Sequence, residues 1–280
     1  MLSLKRMVKV ILEVKWVKAK SALVKSRIYD VDYALNPYVG CEHGCLYCYA
    51  RFMCKYAKTD KEWGDFVHVK INLPKILASE VRRLPEGTVL ISSVTDPYQP
   101  LERKYLITRR SLEILSRTNF SVIILTKSDL VLRDIDILKR MENVEVGFTI
   151  TTLDESFSSI LEPKAPSPLR RLKALEILKE NGIDTFGFIA PFIPIISEKR
   201  LDSLLEKLAE INVDRVMVDT LNIKYGNLPY IRSALKRVGL WTDIRPILEC
   251  EYTYLQYYQE IKTRIKDASN ELGLDIIFLF

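Results

Sequence analysis

The sequence predicts an α/β fold, a partial (β/α)6 TIM-like barrel with small N- and C-terminal additions. Three observations predict it: apolar, β-branched runs alternate with helical patterns from about residue 88, five such strands follow in order, and a sixth lies near residues 36–39. Continuous apolar strands covered by amphipathic helices are typical of a parallel sheet of βαβ units, buried on both faces. Six repeats are two short of a closed eight-fold barrel.

Each repeat is identified from its apolar periodicity, taken in chain order. The predicted strands, each with the helix that follows it, are 89–94 with 109–117, 121–126 with 132–141, 144–151 with 169–180, 185–193 with 198–210, and 215–220 with 229–238. Asn181 and Gly182 are typical of a helix stop. Because no low-complexity tract or linker interrupts these repeats, we assign residues 31–238 to one core.

Residues 1–30 are predicted to be a basic N-terminal extension. The 280-residue chain holds 42 Lys and Arg against 36 Asp and Glu, a net charge of +6 with both histidines neutral. Residues 1–30 carry eight cationic and two acidic side chains, so this segment holds the whole excess. Because the positive charge is concentrated in this one segment, a nucleic acid is a candidate partner.

A period-two pattern within this extension predicts a half-buried strand. The cationic and acidic residues of the pattern, Lys9, Glu13 and Lys15, belong to the face toward solvent. The face expected to be buried is apolar and consists of Val8, Val10, Leu12, Val14 and Trp16.

Residues 239–280 are predicted to be a C-terminal extension. We expect an appended strand, a helix over 252–270 and an apolar tail over 276–280. The tyrosines at 252, 254, 257 and 258 have mixed helical spacing, which favours packing of this helix over stacking on nucleic-acid bases.

The chain contains no apolar run long enough to cross a bilayer, and charges at Lys5, Arg6 and Lys9 interrupt the start. A secretory signal would need a longer apolar region after its first basic residues. We therefore expect a cytoplasmic protein with no membrane partner.

The strongest chemical signal is a cysteine cluster. Of the five cysteines, four lie within 14 residues, and the odd count argues against a disulfide framework. Cys41, Cys45 and Cys48 form a C-x3-C-x2-C triplet, whose thiolates can hold three corners of a cubane iron–sulfur cluster and leave one iron open. The alternative is a structural zinc site in a non-catalytic protein. A zinc tetrahedron would need a fourth ligand, and the spare candidates repeat no zinc-ribbon spacing: Cys54, His43, His68 and Cys250.

The cysteine segment, residues 35–51, resembles the signature of the radical S-adenosylmethionine (SAM) family, and within it the spore photoproduct lyase-related branch. Three further stretches support the resemblance, residues 92–102, 125–128 and 187–191. The resemblance covers roughly residues 30–235. It implies a barrel of the radical SAM type.

The resemblance also implies the chemistry. Cys41, Cys45 and Cys48 would ligate a [4Fe–4S] cluster, and SAM would chelate the open iron. Reductive cleavage of SAM would give methionine and a 5′-deoxyadenosyl radical that abstracts hydrogen from a substrate. The cofactor supplies this chemistry, while the barrel positions it and excludes water. A flavodoxin- or ferredoxin-like protein would supply the electron.

Four further residues are implied to help bind SAM. Tyr47, the aromatic residue before the third cysteine, would lie against the adenine, although packing on the barrel is the alternative. Ser93, Lys127 and Thr149 lie near the carboxyl ends of predicted strands, where a barrel presents its chemistry. The partner of Lys127 would be the SAM carboxylate or, alternatively, Asp96.

Each of the other candidate site residues has two possible interpretations. Asp96 lies in a rigid, proline-containing loop and would contact ribose or substrate, or only cap a turn; residues 162–166 form a similar loop. Cys54 and Cys250 would donate hydrogen to a substrate radical or be small buried hydrophobes. Unlike spore photoproduct lyase itself, the chain has no cysteine in residues 92–96. The substrate therefore stays open between a nucleic acid and a protein or small metabolite.

Overall fold

The computed structural model describes residues 11–223 and 226–280. The strands in these ranges are β1 (Glu13–Val17), β2 (Val24–Lys25), β3 (Tyr33–Leu35), β4 (Tyr38–Val39), β5 (Phe66–Lys70), β6 (Thr88–Ile91), β7 (Ser121–Thr126), β8 (Val144–Thr149), β9 (Asp184–Phe192), β10 (Arg215–Thr220) and β11 (Ile276–Phe278). The α-helices are α1 (Met53–Ala57), α2 (Leu73–Glu80), α3 (Glu102–Tyr105), α4 (Ile107–Leu115), α5 (Ile135–Leu138), α6 (Glu155–Leu161), α7 (Pro168–Glu180), α8 (Leu201–Ile211), α9 (Leu228–Arg237), α10 (Trp241–Glu249) and α11 (Glu251–Leu272).

Eight strands form the main sheet, in the order β11-β10-β9-β8-β7-β6-β3-β2. All neighbouring pairs are parallel except β2 with β3. Parallel neighbours need a crossover, and a helix fills each one between consecutive strands from β6 to β10. The strands β3 and β6 to β10 are the predicted (β/α)6 core, so the expected fold class is confirmed.

The register of the sheet aligns the carboxyl ends of its strands. Leu35 pairs with Ile91 and Ile91 with Ile124, while Thr126 pairs with Phe148 at the next step. Parallel strands in register end at the same edge of a sheet. The segments that follow β3, β6, β7 and β8 therefore lie together, and these segments contain the candidate site residues.

The two faces of the sheet are covered unequally. In β7, Val122 and Ile124 are buried under the helices, whereas the alternate residues Ile123 and Leu125 are only half-buried. Strands β6 and β10 show the same alternation. The second face is thus only partly covered at β6, β7 and β10, whereas almost all residues of β3 and β8 are buried, as the apolar runs predict.

The sixth predicted strand, placed near residues 36–39, needs a correction. The barrel strand is β3, which ends at Leu35, while Tyr38 and Val39 form β4 of a separate sheet. Apolar character alone does not separate two short strands that only Asn36 and Pro37 divide, because both strands are largely buried.

The small sheet has the order β1-β5-β4 and includes the N-terminal strand. Strand β1 confirms extended structure within the predicted segment, but the predicted burial is wrong: Val14 and Trp16 are 37% and 69% exposed. The physical reason is that β1 is an edge strand whose neighbour is β5 alone. Val8 and Val10 lie outside the described residues.

The C-terminal prediction also needs a correction. The residues before the long helix form the helix α10 instead of a strand, and the apolar tail itself supplies the appended strand, β11. Strand β11 adds in parallel to β10, with Met217 opposite Ile277. As expected, the helix tyrosines mostly pack: Tyr258 is 2% exposed and lies 4.5 Å from Tyr254 between ring centroids, whereas Tyr252 is exposed. None of the helices among the described residues has the length and apolarity that crossing a bilayer requires.

Candidate functional site

The cysteine triplet lies on the loop between β4 and a short 3₁₀ helix, Tyr49–Phe52. Cys41 and Cys45 are buried, Cys48 is half-buried, and all three thiols are free. The backbone folds into consecutive turns, with Gly44 N donating to Cys41 O and Cys48 N donating to Cys45 O, at 3.3 and 3.2 Å. One loop therefore carries three thiols on a compact, turn-stabilised backbone.

Glycine is required at the position that enters this loop. Gly40 has φ of +89°, and a Cβ there would lie 2.4 Å from the carbonyl oxygen of Phe66 in β5. A side chain at residue 40 would force the loop away from the small sheet. The small sheet thus holds the first cysteine in place.

Burial raises the pKa of all three site thiols. The pKa of Cys45 rises to about 12 through burial, although the nearby Lys127 ammonium opposes the rise. Thiolates are the forms that bind metals, so metal binding here must release protons. A cationic metal group is needed to keep these thiolates charged in so buried a place.

Lys127 follows β7 and extends over the candidate site. Its Nζ lies 5.6 Å from the centroid of the Tyr47 ring. No hydrogen bond or ion pair to this Nζ occurs among residues 11–223 and 226–280. Burial lowers the pKa of Lys127, but electrostatic interactions with the acidic groups around it, Cys45 and Glu162 foremost, outweigh burial and raise the pKa. The ammonium is therefore charged and lacks a direct anionic partner in the part of the chain that the structure describes.

The alternative partner of Lys127, Asp96, is engaged elsewhere. Its carboxylate accepts hydrogen bonds from Thr126 Oγ1 at 2.7 Å and from the backbone N–H groups of Lys127 and Tyr98 at 2.8 and 2.9 Å. His43 Nδ1 lies 3.3 Å from Asp96 Oδ2. Burial alone would raise the pKa of Asp96, but His43 and the hydrogen bonds lower it to about 2. Asp96 thus ties the loop after β6 to β7 and to the cysteine loop.

Tyr47 is buried, and its hydroxyl is anchored. It donates a hydrogen bond to Glu162 and lies 3.3 Å from Thr151 Oγ1. Its backbone carbonyl accepts from Asn227 Nδ2 at 2.7 Å. The tyrosine ring is therefore held between the cysteine loop and the loops that follow β8 and β10.

A buried ion pair supports this anchor. Glu162 pairs with Arg171 of α7, and both side chains are almost fully buried, at 2% and 0% exposed. Arg171 Nη1 also donates to the carbonyl oxygen of Thr149 at 2.9 Å. The pair thus links Tyr47 to Thr149, although these residues are far apart in the sequence.

Sequence reasoning missed this pair as a functional element. One signal was present, because Arg171 shares a helix face with Leu175 and Leu178, where an amphipathic helix normally carries apolar residues. A cation on a core-facing stripe needs a buried counter-charge. The proline-containing loop at residue 162 contains the acid that supplies it.

Ser93 follows β6 and is held by Asn36, which follows β3. The Asn36 amide donates to Ser93 Oγ at 3.1 Å and accepts from the backbone N–H groups of Ser93 and Val94 at 3.0 Å. Tyr49 donates to the carbonyl of Ser93, so the segment after the third cysteine touches this strand end. Asn36 is a second positioning residue that sequence reasoning missed.

Thr149 ends β8 and is buried, opposite Phe188 of β9. The structure therefore brings Tyr47 and Thr149 together through the Glu162–Arg171 pair. Lys127 joins them through its ammonium over the Tyr47 ring, and Tyr49 ties Ser93 to the cysteine loop. No group of three or more His, Cys, Asp or Glu side chains in the described ranges is arranged to hold a metal ion.

The remaining cysteines differ in exposure. Cys54 is half-buried against Cys48 and Ala50 in the cluster around Trp63, where burial raises its pKa. Cys250 is exposed at the junction of α10 and α11. The expectation that each is a small buried hydrophobe therefore fits Cys54 better than Cys250.

Comparisons with known proteins show which family and fold the chain resembles. The family model described as the radical SAM superfamily matches residues 35–208. An uncharacterized protein of Methanocaldococcus jannaschii is 41% identical over 183 residues, which cover 65% of this chain and 69% of that protein. The radical SAM Nα-GlyT isomerase of Pseudomonas phage M6 is 26% identical over 211 residues, which cover 73% of this chain and 42% of the isomerase.

Among solved structures, a mutant spore photoproduct lyase with bound AdoMet and dinucleoside spore photoproduct has a TM-score of 0.64 at 18% identity. The similarity covers 80% of this chain and 66% of the lyase, so the chain spans about two thirds of that protein. At this identity the likeness shows the fold. Together with the family match over the cysteine loop and strands β6 to β9, it shows that the chain belongs to the radical SAM superfamily, with a fold like that of spore photoproduct lyase.

Proposed function

We propose that the chain is a radical SAM enzyme that holds a [4Fe–4S] cluster on Cys41, Cys45 and Cys48. When bound, the cluster supplies one electron and SAM supplies the 5′-deoxyadenosyl group that abstracts hydrogen from a substrate. The observation that carries the proposal is a cation without a direct anionic partner beside three free thiols: Lys127 reaches over Tyr47 next to Cys45. Such an ammonium requires an anion, and the SAM carboxylate has the right charge.

The donor set fits the group. Three thiols on one loop match three corners of a cubane cluster and leave one iron open. The raised pKa values of these thiols favour the neutral form until a cationic metal group binds, because burial penalises an isolated thiolate. Lys127 further stabilises the thiolate of Cys45.

The other residues act by positioning. The Glu162–Arg171 pair holds the Tyr47 hydroxyl, which leaves the aromatic ring available for contact with the adenine. Asn36 fixes the strand end that carries Ser93. Thr149, at the end of β8, adds a third polar group from the same edge of the sheet. Ser93, Lys127 and Thr149 reach the site from the ends of three different strands, β6, β7 and β8, as is usual for a barrel enzyme.

The experiment that tests this proposal is anaerobic reconstitution with iron and sulfide, followed by addition of SAM and dithionite. We expect about four irons per chain and formation of methionine and 5′-deoxyadenosine. A colourless protein that holds a single zinc ion would overturn the proposal and support the non-catalytic alternative.

We further propose a nucleic acid as the substrate. Residues 11–30 present exposed aromatic rings, Trp16 and Tyr29, among the exposed cations Lys18, Lys20, Lys25 and Arg27. Rings that stack on bases and cations that contact phosphates are the usual elements of a single-strand binding surface. The spore photoproduct lyase structure that contains a bound dinucleoside spore photoproduct supports the same substrate class through its similar fold.

A further inference from the structure

A cavity of about 210 Å³ opens beside the cysteine loop. Its walls come from the segments after β6, β7 and β8 and from the cysteine loop itself. The polar and charged side chains that line it are His43, Tyr98, Arg103, Ser128, Lys164 and Arg170. None of the four residues proposed to bind SAM lines it.

The rim of this cavity presents positive charge to solvent, and no carboxylate lines it. Lys164 and Arg170 each pair with a carboxylate, Asp65 and Asp129, at 2.9 and 2.6 Å. In both pairs the cation is the more exposed partner, at 50% against 24% and at 57% against 22%. Arg103 is exposed and has no ion pair within residues 11–223 and 226–280. The cations therefore face outward and the acids lie behind them.

The inner wall of the cavity is the cysteine loop. His43 stands between Cys41 and Cys45 in the chain and is only 1% exposed, yet it lines the cavity. Its Nε2 is buried without a hydrogen-bond partner in the described part of the chain. The cavity therefore leads from the basic rim directly to the loop that is proposed to carry the cluster.

The cavity and the region of Tyr47 and Lys127, where SAM is proposed to bind, lie on different sides of the cysteine loop. Lys127 and Ser128 are neighbours after β7, but Lys127 reaches over Tyr47 while Ser128 lines the cavity. A substrate must reach the SAM side, where hydrogen is abstracted. A reductant needs access only to the cluster loop, which the cavity supplies.

We propose that this basic-rimmed cavity is the docking surface for an acidic electron-donor protein of the ferredoxin or flavodoxin class, an inference that rests on the proposed function. Carboxylates of the donor pair with Arg103, Lys164 and Arg170. The donor is oxidised by one electron, and the [4Fe–4S] cluster is reduced by the same electron. Charge complementarity of this kind accelerates encounter and makes it sensitive to salt.

The test compares two double charge reversals in the reconstituted full-length enzyme. Arg103→Glu with Arg170→Glu alters the rim, while Lys236→Glu with Arg237→Glu alters two exposed cations of α9 as a matched control. The probe is an oxidised acidic [2Fe–2S] ferredoxin, whose Kd is measured by calorimetry at low and high salt. We expect the rim variant to raise the Kd about tenfold or more at low salt and the control to match the wild type. The milder Arg103→Gln with Arg170→Gln should give a smaller increase in the same direction.

A second measurement separates docking from chemistry. With dithionite, which needs no docking surface, the rim variant should form 5′-deoxyadenosine at the wild-type rate, whereas with reduced ferredoxin its rate should fall. An unchanged ferredoxin Kd with normal dithionite activity would overturn the docking proposal alone. Loss of oligonucleotide binding with retained ferredoxin binding would also overturn it, because the rim would then be a nucleic-acid surface. If the wild type forms no product with dithionite, the proposed function itself fails.

Discussion

The hydroxyl of Tyr47 donates a hydrogen bond to the carboxylate of Glu162, 115 residues further along the chain. The same carboxylate pairs with Arg171, whose guanidinium also reaches the carbonyl of Thr149. A residue of the cysteine loop is thus fixed to the end of β8 by a buried charge pair. Removal of one member of such a pair leaves the other as an uncompensated buried charge.

We expect Glu162→Ala to lower the free energy of unfolding by about 3–5 kcal/mol, because Arg171 would lose its counter-charge in a buried site. Urea unfolding followed by circular dichroism measures the change. The matched control is Asp202→Ala, which removes an exposed pair with Arg264 and should cost less than about 1 kcal/mol. Equal losses in the two variants would show that the buried pair has no special energetic role.

Replacement of Cys45 by alanine should abolish both iron content and SAM cleavage, because a cubane cluster needs all three thiolates of the loop. Iron and labile sulfide are assayed after anaerobic reconstitution, and 5′-deoxyadenosine is measured by chromatography. Cys54→Ala is the control, since this neighbouring thiol is not a proposed ligand and should leave the iron content unchanged. Full iron loading of the Cys45 variant would contradict the ligand assignment.

Lys127→Met should weaken SAM binding about 10- to 100-fold, the range expected when a charge-assisted contact to a carboxylate is lost. Iron content should stay at the wild-type level, because the thiols remain. The Kd for SAM is measured by calorimetry on the reconstituted enzyme. The control variant Lys139→Met, at an exposed position just after α5, should bind SAM normally. A wild-type Kd in the Lys127 variant would exclude this ammonium as the partner of SAM.

Asp96 should make the stability depend on pH in the acid range. Its pKa is lowered to about 2 in the folded protein from an ordinary value of 3.8, so its carboxylate stabilises the fold above about pH 4. This stabilisation, about 2 kcal/mol for such a shift, is lost as the pH falls through about 2. Asp96→Asn should therefore have a lower free energy of unfolding than the wild type at pH 7, and the difference between the two should shrink toward pH 2. A difference in the free energy of unfolding that does not change with pH would contradict this linkage.

The basic N-terminal segment can be tested by substitution but not by deletion. Glu80 accepts hydrogen bonds from the backbone of the buried Ala22 and Leu23, so removal of residues 1–30 would also remove part of the core. We expect a glutamine variant of the exposed cations to bind single-stranded oligonucleotides more weakly and with a smaller dependence on salt. The substituted positions are Lys18, Lys20, Lys25 and Arg27.

Fluorescence anisotropy over a salt series measures this change. Trp16→Ala in the same segment should weaken binding with little effect on the salt slope, because stacking carries no counterion release. Binding that is absent in the wild type, or insensitive to salt, would contradict a nucleic-acid substrate at this segment.

Most of the barrel could be predicted because its signals are local. Strands β7 and β10 fall at the predicted residues, and α7 begins within one residue of its predicted start, since each buries a continuous apolar run or stripe. The failures occur where burial depends on distant neighbours. Trp16 is exposed because β1 is an edge strand that pairs with β5 alone among the described strands, and the tail at residues 276–278 becomes a strand because β10 offers an open edge.

By itself, the sequence determined the fold class, the cysteine triplet and the strand ends on which Ser93, Lys127 and Thr149 lie. Spacing and periodicity are properties of the chain alone, so these features need no knowledge of distant contacts. Only the tertiary structure decided which charges meet. Asp96 lies against His43 and accepts a hydrogen bond from Thr126. Glu162 pairs with Arg171 and accepts a hydrogen bond from Tyr47. Lys127 has no direct anionic partner among the described residues. Which charged side chains pair depends on how close the fold brings residues that are far apart in the sequence. A local sequence pattern does not contain that information.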